Sequence, residues 1–139
     1  MYTAMDISRY IIDKCMYDRF PVSNLQLQKI LYYLQKEFLK RNERLFDDDF
    51  VAWQFGPVIE EVYYNYSIFG SMPIRRSFAI NLAQKVKAVI DPIIEAKRGM
   101  NPWELVRETH KKNGAWDMVY REGAGNGKII SKELIASRG

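Results

Sequence analysis

The sequence has little of what covalent or metal-bound frameworks need: its 139 residues include one cysteine and one histidine. The single cysteine, Cys15, cannot form an internal disulfide, which is typical of proteins in a reducing cytoplasm. One cysteine and one histidine also cannot supply the usual four ligands of a zinc site. The sequence therefore predicts no disulfide framework, no zinc centre and a cytoplasmic location.

Long apolar segments are missing as well. No run approaches the roughly 18 to 20 apolar residues that a membrane span requires. The first twenty residues carry Asp6, Arg9, Asp13 and Lys14, where a signal peptide would need an uninterrupted apolar stretch. We therefore expect neither a membrane span nor a secretory leader.

Composition predicts one globular domain over residues 1–139, because 47% of the residues are hydrophobic and 14% are aromatic. The net charge of +4 is unevenly divided. Residues 1–70 hold 8 Lys or Arg against 10 Asp or Glu, whereas residues 71–139 hold 13 against 7. A basic C-terminal half is compatible with nucleic-acid binding. Its charges are scattered along the sequence, however, which favours an ordinary solvated surface.

Two capping signals predict the first helices. Thr3 precedes Asp6 by three residues and opens a helix to about residue 18, and Ser23 with Gln26 opens another over about 24–41. The second helix carries apolar residues on two sides, which is typical of a helix packed between other elements. The first side holds Leu27, Ile30, Leu31, Leu34 and Phe38, and the second holds Leu25, Tyr32 and Leu39.

Residues 50–70 combine an extended segment and an aromatic-rich helix. The alternation over 50–55 predicts an extended segment packed on at least one face. Gly56 and Pro57 predict a corner that starts a helix over 58–69, which Gly70 ends. Ile59, Val62, Tyr63 and Tyr66 share its inward face.

Tyr64 and Ile68 lie outside that inward face, beside Glu60 and Glu61. A helix buried on one side then carries a second apolar spot. Tyrosine is enriched at protein interfaces, so the spot is either part of a partner-binding surface or a second contact inside the domain. The sequence leaves these two alternatives open.

The remaining segments complete a mainly α fold, a compact multi-helix domain with a short extended segment around 50–55. A helix over about 82–97 is expected to kink or restart at Asp91-Pro92. Asn101 and Pro102 open the next helix. One or two helical turns follow over 116–120, and Ser131 caps a final helix to about residue 137.

No group of residues indicates catalysis. His110 is the one side chain that titrates near neutrality, but no positioned partner is evident, and we expect it to hydrogen-bond between elements. Cys15 lies among apolar residues and is expected to be a buried, inert thiol. Asp47 to Asp49 lack the pattern of a calcium loop and indicate an acidic turn. We predict no catalytic, cofactor or metal-binding residues.

Three segments in this order resemble the Panacea domain, the SocA-like or GepA-like antitoxin domain of bacterial and phage toxin–antitoxin pairs. They are LQLQKILYYLQKEFLKRNERLFDDDF, FVAWQFGPVIEEVYYNYSIFG and WELVRETHKKNGAWDMVY, followed by KIISKELI. The resemblance extends roughly from residue 5 to residue 135. Its motif residues, which it implies are structural, are Gln28, Lys29, Tyr32, Tyr33, Trp53, Gly56, Pro57, Val58, His110 and Trp116.

The resemblance implies an antitoxin of a type II-like pair that neutralises a cognate protein toxin by direct binding. Our candidate partner-binding residues are Glu60, Glu61, Tyr64, Ile68, Arg75 and Arg76. The alternative is a small nucleic-acid-binding or regulatory domain of a phage or mobile element that uses the basic C-terminal half. Self-association is left open.

Overall fold

The computed structural model describes all 139 residues and is 57% helical. Seven helices and one small sheet make up a compact, mainly α domain, which confirms the predicted fold class. The helices are α1 (Ala4–Tyr17), α2 (Asn24–Lys40), α3 (Glu60–Asn65), α4 (Gln84–Arg98), α5 (Pro102–Thr109), α6 (Ala115–Tyr120) and α7 (Lys132–Arg138). The strands are β1 (Phe50–Trp53), β2 (Gly56–Val58) and β3 (Ile129–Ile130).

Four helix starts lie where the sequence predicts them, because their caps are local. The hydroxyls of Thr3 and Ser23 each accept a hydrogen bond from the third helical residue, whose side chain accepts one in return from the cap backbone. Asn101 caps α5 and Ser131 caps α7 through their side-chain oxygens. These caps satisfy backbone N–H groups that a helix start leaves without partners.

Helix α2 is the central element, as its two apolar sides predict. It packs against α1, α3, α4, α5, α7 and β2. Leu27, Ile30, Leu31 and Leu34 are fully buried on one side, and Tyr32 is buried on the other. These residues belong to a core of 27 buried residues that runs from Ala4 to Ile135, so the N-terminal helix and the C-terminal helix share one interior.

The Gly-Pro corner forms a β-hairpin and does not start a helix. Strands β2, β1 and β3 lie in that order in one antiparallel sheet, with Ala52 paired to Pro57 and Phe50 paired to Ile130. The prediction of a helix over 58–69 is therefore wrong at its start. The φ of proline suits an edge strand as well as a helix, and β2 is an edge strand. Gly56 has φ +117°, a value that glycine adopts readily.

The predicted helix is also shorter and interrupted. Helix α3 ends at Asn65 and a separate 3₁₀ turn follows over Ser67–Phe69. Gly70, with φ +56°, ends this turn. Tyr64 and Ile68 therefore lie on two consecutive elements, so the single 3.6-residue period assumed from the sequence does not relate them.

Helix α4 continues through Pro92, so the predicted restart of the helix does not occur. Proline inside a helix removes one backbone hydrogen bond and costs about 3 kcal/mol. Ile90 and Ile94 flank Pro92 and are fully buried, and the Tyr10 hydroxyl donates to Asp91 Oδ1 at 2.6 Å. We infer that this packing offsets the local cost. Asp91 is occupied by Tyr10 and does not cap a new helix.

The acidic turn joins distant helices. Asp48 Oδ1 accepts a hydrogen bond from the Ala4 N–H at 2.9 Å, at the start of α1. Asp49 pairs with Lys132 of α7 at 2.8 Å, and Asp47 pairs with Arg44 at 3.3 Å. Each carboxylate thus has a partner within the chain.

None of the seven helices is both long enough and apolar enough to cross a bilayer.

Candidate functional site

A pocket of about 570 Å³ lies between α2 and the β1–β2 hairpin, and we call it the aromatic pocket. Trp53 and Phe55 of the hairpin, Tyr63 of α3 and Trp103 of α5 supply its aromatic side chains. The rings meet edge to face, with 5.0 Å between the centroids of Trp53 and Tyr63 and 5.5 Å between those of Phe55 and Trp103. Such pairs fix one another's orientation.

Two amide side chains of α2 hold the pocket wall in place. Gln28 Oε1 accepts a hydrogen bond from the Ile59 N–H at 3.0 Å, and Gln28 Nε2 donates to Asn24 Oδ1 at 3.3 Å. Asn24 Nδ2 in turn donates to the Tyr63 carbonyl at 2.9 Å. These hydrogen bonds join α2 to Ile59, which precedes α3, and to Tyr63, which lies within α3. Gln28, a residue of the family motif, therefore connects α2 to the segment that leads into α3.

Lys29 is the one charged side chain among the residues that line the aromatic pocket. It is fully buried, and its Nζ has no hydrogen-bond partner in the protein. Burial lowers the pKa of Lys29 to about 7. Buried amines are normally paired, so an unpartnered one needs an explanation.

Gly56 leaves the space that the Lys29 amine occupies. A Cβ at this position would collide with Lys29 Nζ and would lie 2.9 Å from Thr109 Oγ1. Thr109 is buried and its hydroxyl donates to the Val106 carbonyl at 2.9 Å. The motif residues Lys29 and Gly56, which are distant in sequence, therefore meet beside the end of α5.

His110 stacks on Trp116 and does not make the predicted hydrogen bond between elements. The two rings are parallel, with 3.6 Å between their centroids, and His110 Nε2 has no partner. Trp116 stacks on Tyr120 at 4.6 Å and donates from Nε1 to the Trp53 carbonyl at 2.7 Å. Burial and the Lys29 charge lower the pKa of His110, and Asp117 opposes them. Because His110 and Tyr120 both stack on Trp116, His110 has a packing role that the sequence did not reveal.

The motif tyrosines lie outside the aromatic pocket. Tyr32 is buried against Phe50, with 5.3 Å between ring centroids. Tyr33 donates from its hydroxyl to Glu108 Oε1 at 2.6 Å, and Glu108 also pairs with Lys97 at 3.0 Å. Tyr32 thus joins α2 to β1, whereas Tyr33 joins α2 to α5 and, through Glu108, to α4.

The predicted partner-binding residues are all exposed. Tyr64 is 62% exposed and Ile68 is 84% exposed, and the Tyr64 ring meets Trp53 with 5.9 Å between centroids. Glu60 and Glu61 lie on the same helix as Tyr64. Arg75 and Arg76 follow in the loop, and the Arg76 guanidinium lies over the Phe69 ring at 4.7 Å. The structure thus brings Tyr64 to the edge of the aromatic pocket.

Phe55 and Trp103 were missed by the sequence reasoning. They are 49% and 52% exposed and stand at the pocket opening. Phe55 belongs to the two-residue turn between β1 and β2. A prediction of this hairpin would have placed Phe55 in its turn. Trp103 could have been noted as a large apolar residue in the first turn of an amphipathic helix, two residues after the N-cap Asn101.

No group of three or more His, Cys, Asp or Glu side chains is placed to hold a metal ion. Cys15 is buried, as expected, and burial raises the pKa of its thiol. An Arg98 guanidinium nitrogen is 3.9 Å from its Sγ. Cys15 lies among the core residues of α1, whereas His110 lies on Trp116 at the end of α5.

The fold and the pocket define a small helical domain whose distinctive feature is an aromatic, partly open cavity with one buried amine in its lining. Residues 27–117 match the family described as antitoxin SocA-like, Panacea domain, and the chain belongs to this family. The match covers every motif residue from Gln28 to Trp116 and confirms the resemblance. The chain is also similar to Antitoxin SocA of Caulobacter vibrioides (strain NA1000 / CB15N), with 28% identity over 130 residues, which are 84% of this chain and 69% of that protein. No solved structure matches the chain.

Proposed function

We propose that this protein is an antitoxin that neutralises a cognate toxin by forming a direct complex with it in the cytoplasm. Membership in an antitoxin family supports the role and implies a toxin partner. It also speaks against an enzyme, and we propose no catalytic activity. We further propose that residues 1–139 act as one Panacea-type domain, because their buried core is continuous.

The observation that carries the proposal is an exposed apolar surface around the aromatic pocket. Phe55, Tyr64 and Trp103 are each about half exposed or more, although each packs on another aromatic ring. Ile68 and Met72 lie on either side of the pocket-lining residues Gly70 and Ser71 in sequence and are more exposed still, at 84% and 66%. Large apolar side chains gathered around a cavity mark protein-interaction surfaces. We call these five residues the apolar rim.

Charged side chains next to the apolar rim suit a partner surface with a polar edge. Glu60 and Glu61 are exposed on α3, and Arg75 and Arg76 are exposed after the 3₁₀ turn. Stacking on Phe69 restrains Arg76, so less side-chain entropy is lost when it contacts a partner. A specific complex buries about 800 Å² per partner, which requires the rim and these neighbours together.

Substitutions in the rim test the proposal directly. We expect Tyr64→Ala and Ile68→Glu to leave the free energy of unfolding within about 1 kcal/mol of wild type, because both side chains are exposed. The same changes should weaken the toxin complex by about 2 kcal/mol or more if they lie at its centre. The product of the neighbouring gene is co-expressed as the candidate toxin, and its binding is measured by calorimetry.

Tyr17→Ala is the matched control, because Tyr17 is an 88% exposed tyrosine on α1. It should change neither stability nor toxin binding. Full-strength binding by both folded rim variants would reject the rim as the interface. The absence of any complex between the wild-type protein and the neighbouring product would reject the proposed function itself.

Nucleic-acid binding is the second candidate, and one cluster favours it. Lys36, Lys97 and Lys111 line a depression of about 400 Å³. Burial first, and then the charges of Lys40, Lys111 and Lys97, lower the pKa of Lys36 to about 8. Lys36 belongs to α2, whereas Lys97 and Lys111 belong to the C-terminal half of the chain. The basic surface is therefore built from both halves of the sequence.

A salt titration separates this candidate from the first. If the lysine cluster binds a phosphate backbone, the affinity for duplex DNA should fall steeply as salt is added. Lys36→Gln with Lys111→Gln should reduce both the affinity and its salt dependence. No binding at low salt would eliminate the candidate. Glu108, which pairs with Lys97, already offsets part of the cluster's charge.

A further inference from the structure

The buried amine of Lys29 is the feature that the structural roles above do not explain. A lysine that only filled space would be replaced by an apolar residue at lower cost, because a buried amine without a partner loses its hydration. Gly56 and Thr109 surround the amine but provide no accepting carboxylate. His110, the ionisable group coupled to Lys29, adds a repulsive interaction when it is charged. The protein therefore contains a buried amine with neither a hydrogen-bond partner nor a counter-ion.

Lys29 is one of the residues that line the aromatic pocket, and the other lining residues restrict which chemical group could pair with its amine. No acidic side chain lines the pocket. Besides the Lys29 amine, the lining residues carry the amides of Asn24, Gln28, Gln54 and Asn126, the hydroxyls of Ser71 and Tyr63, and the indole N–H groups of Trp53 and Trp103. The rest of the lining is dominated by aromatic and aliphatic surface. Such a pocket fits an apolar group that carries one negative charge. A phosphate would carry more negative charge than one lysine balances. No arginine lines the pocket to make bidentate hydrogen bonds to it.

We propose that the aromatic pocket binds a carboxylate attached to an apolar group, with the carboxylate paired to the Lys29 amine and the apolar group between Trp53, Phe55 and Trp103. The carboxylate could belong to a partner protein, as an acidic side chain or a chain terminus, or to a small molecule. In both cases a carboxylate pairs with the Lys29 amine and an apolar group contacts the aromatic side chains. The proposal does not depend on the identity of the toxin.

Proton uptake should accompany carboxylate binding. Without a bound anion, the lowered pKa leaves a large share of the Lys29 amine neutral near pH 7. A carboxylate beside it favours the ammonium form, so binding takes up a proton from solution. The affinity should therefore decrease as the pH rises above about 7, since the amine must be protonated against a growing cost. His110 is coupled electrostatically to Lys29, and its protonation below neutrality adds a positive charge that repels the Lys29 ammonium and attracts the bound carboxylate.

A matched pair of probes tests the proposal. 3-Phenylpropionate and its neutral amide, 3-phenylpropionamide, have the same apolar body and differ in the charged group. The wild-type protein is expected to bind the carboxylate about tenfold more tightly than the amide, the size of one charge-assisted hydrogen bond. Binding is followed by calorimetry in two buffers of different ionisation enthalpy, which reports the proton uptake.

Two variants separate the charge from the apolar walls. Lys29→Met should remove the preference for the carboxylate and the proton uptake, and amide binding should remain. Trp103→Ala should weaken both probes by a similar factor, because Trp103 is half exposed and contributes only apolar surface. Lys85→Met, which changes an exposed lysine on α4, is the control and should bind as wild type does.

Three results would overturn the proposal: no saturable binding of the carboxylate probe, equal affinity for the two probes in the wild type, or a preference that persists in Lys29→Met. The toxin complex then identifies the source of the carboxylate. Displacement of the toxin by 3-phenylpropionate assigns it to the toxin chain, and simultaneous binding assigns it to a small molecule. Failure to form any toxin complex would reject the proposed antitoxin function but would leave the probe results valid.

Discussion

Replacing Lys29 by methionine should stabilise the protein in a pH-dependent way. The ordinary pKa of lysine is 10.5, and burial lowers that of Lys29 to about 7 in the folded state. Below pH 7 the folded protein must hold a buried ammonium ion that the unfolded chain exposes to water. The difference between the two pKa values corresponds to about 4 to 5 kcal/mol of destabilisation at low pH.

The sign of the pH dependence follows from proton counts. Between about pH 7 and pH 10.5 the amine is neutral in the folded state and protonated in the unfolded state, so unfolding takes up a proton. The free energy of unfolding of the wild type therefore rises with pH in this window, and the penalty disappears above the unfolded pKa. Lys29→Met lacks this contribution. The advantage of the variant should shrink by about 2 to 3 kcal/mol between about pH 6 and pH 9.

Urea unfolding followed by circular dichroism at both pH values measures this difference. Comparing the variant with the wild type at each pH cancels titrations that do not depend on Lys29, such as that of Cys15. His110 is coupled to Lys29, so its pKa should rise in the variant. Lys85→Met, at an exposed position, should give a stability curve parallel to that of the wild type. Parallel curves for Lys29→Met and wild type, or a less stable variant at pH 6, would refute the view that the amine is buried without a partner.

The remaining predictions concern the core and the hairpin. Gly56→Val should lower the melting temperature and weaken toxin binding, because its Cβ would meet Lys29 at φ +117°; Gly127→Ala, at φ +82° in open space, should show only the smaller cost of backbone strain. Leu34→Ala should cost about 2 to 5 kcal/mol in urea unfolding, as full burial implies; a loss below about 1 kcal/mol would argue against the central position of α2. Cys15→Ser with His110→Ala should protect cells from the toxin to the extent that the protein stays folded; a stable, toxin-binding double variant that fails to protect would point to catalysis.

The helix starts could be predicted because the information lies within a few residues. The Thr3 and Ser23 caps require only a side chain three residues away, and the structure shows both. The central position of α2 was also readable, since its two apolar sides need two sets of neighbours. Exposure of Tyr64 and Ile68 agrees with their place outside the inward face, and whether a partner covers them remains a prediction.

The hairpin could not be predicted because Gly-Pro fits two local structures. Pro57 is compatible with an edge strand and with a helix start, and contacts between distant residues decide between them. Gln28 accepts the Ile59 N–H across the α2 surface, and β1 pairs with both β2 and β3. Likewise, Lys29, Gly56 and Trp103 are unrelated in sequence spacing. The pocket arises only when α2, the hairpin and α5 pack together.

The position of β1 between β2 and β3 has a consequence for the order of folding. Val51 pairs with the nearby Val58 on one side and with Ile129, far along the chain, on the other. Closing the longer loop costs about 2 kcal/mol more in chain entropy, so the hairpin should form early and the third strand should join late. Asn126, which precedes that strand, lines the aromatic pocket. The pocket should therefore be completed in the last steps of folding, and local unfolding near the C-terminal strand should open it first.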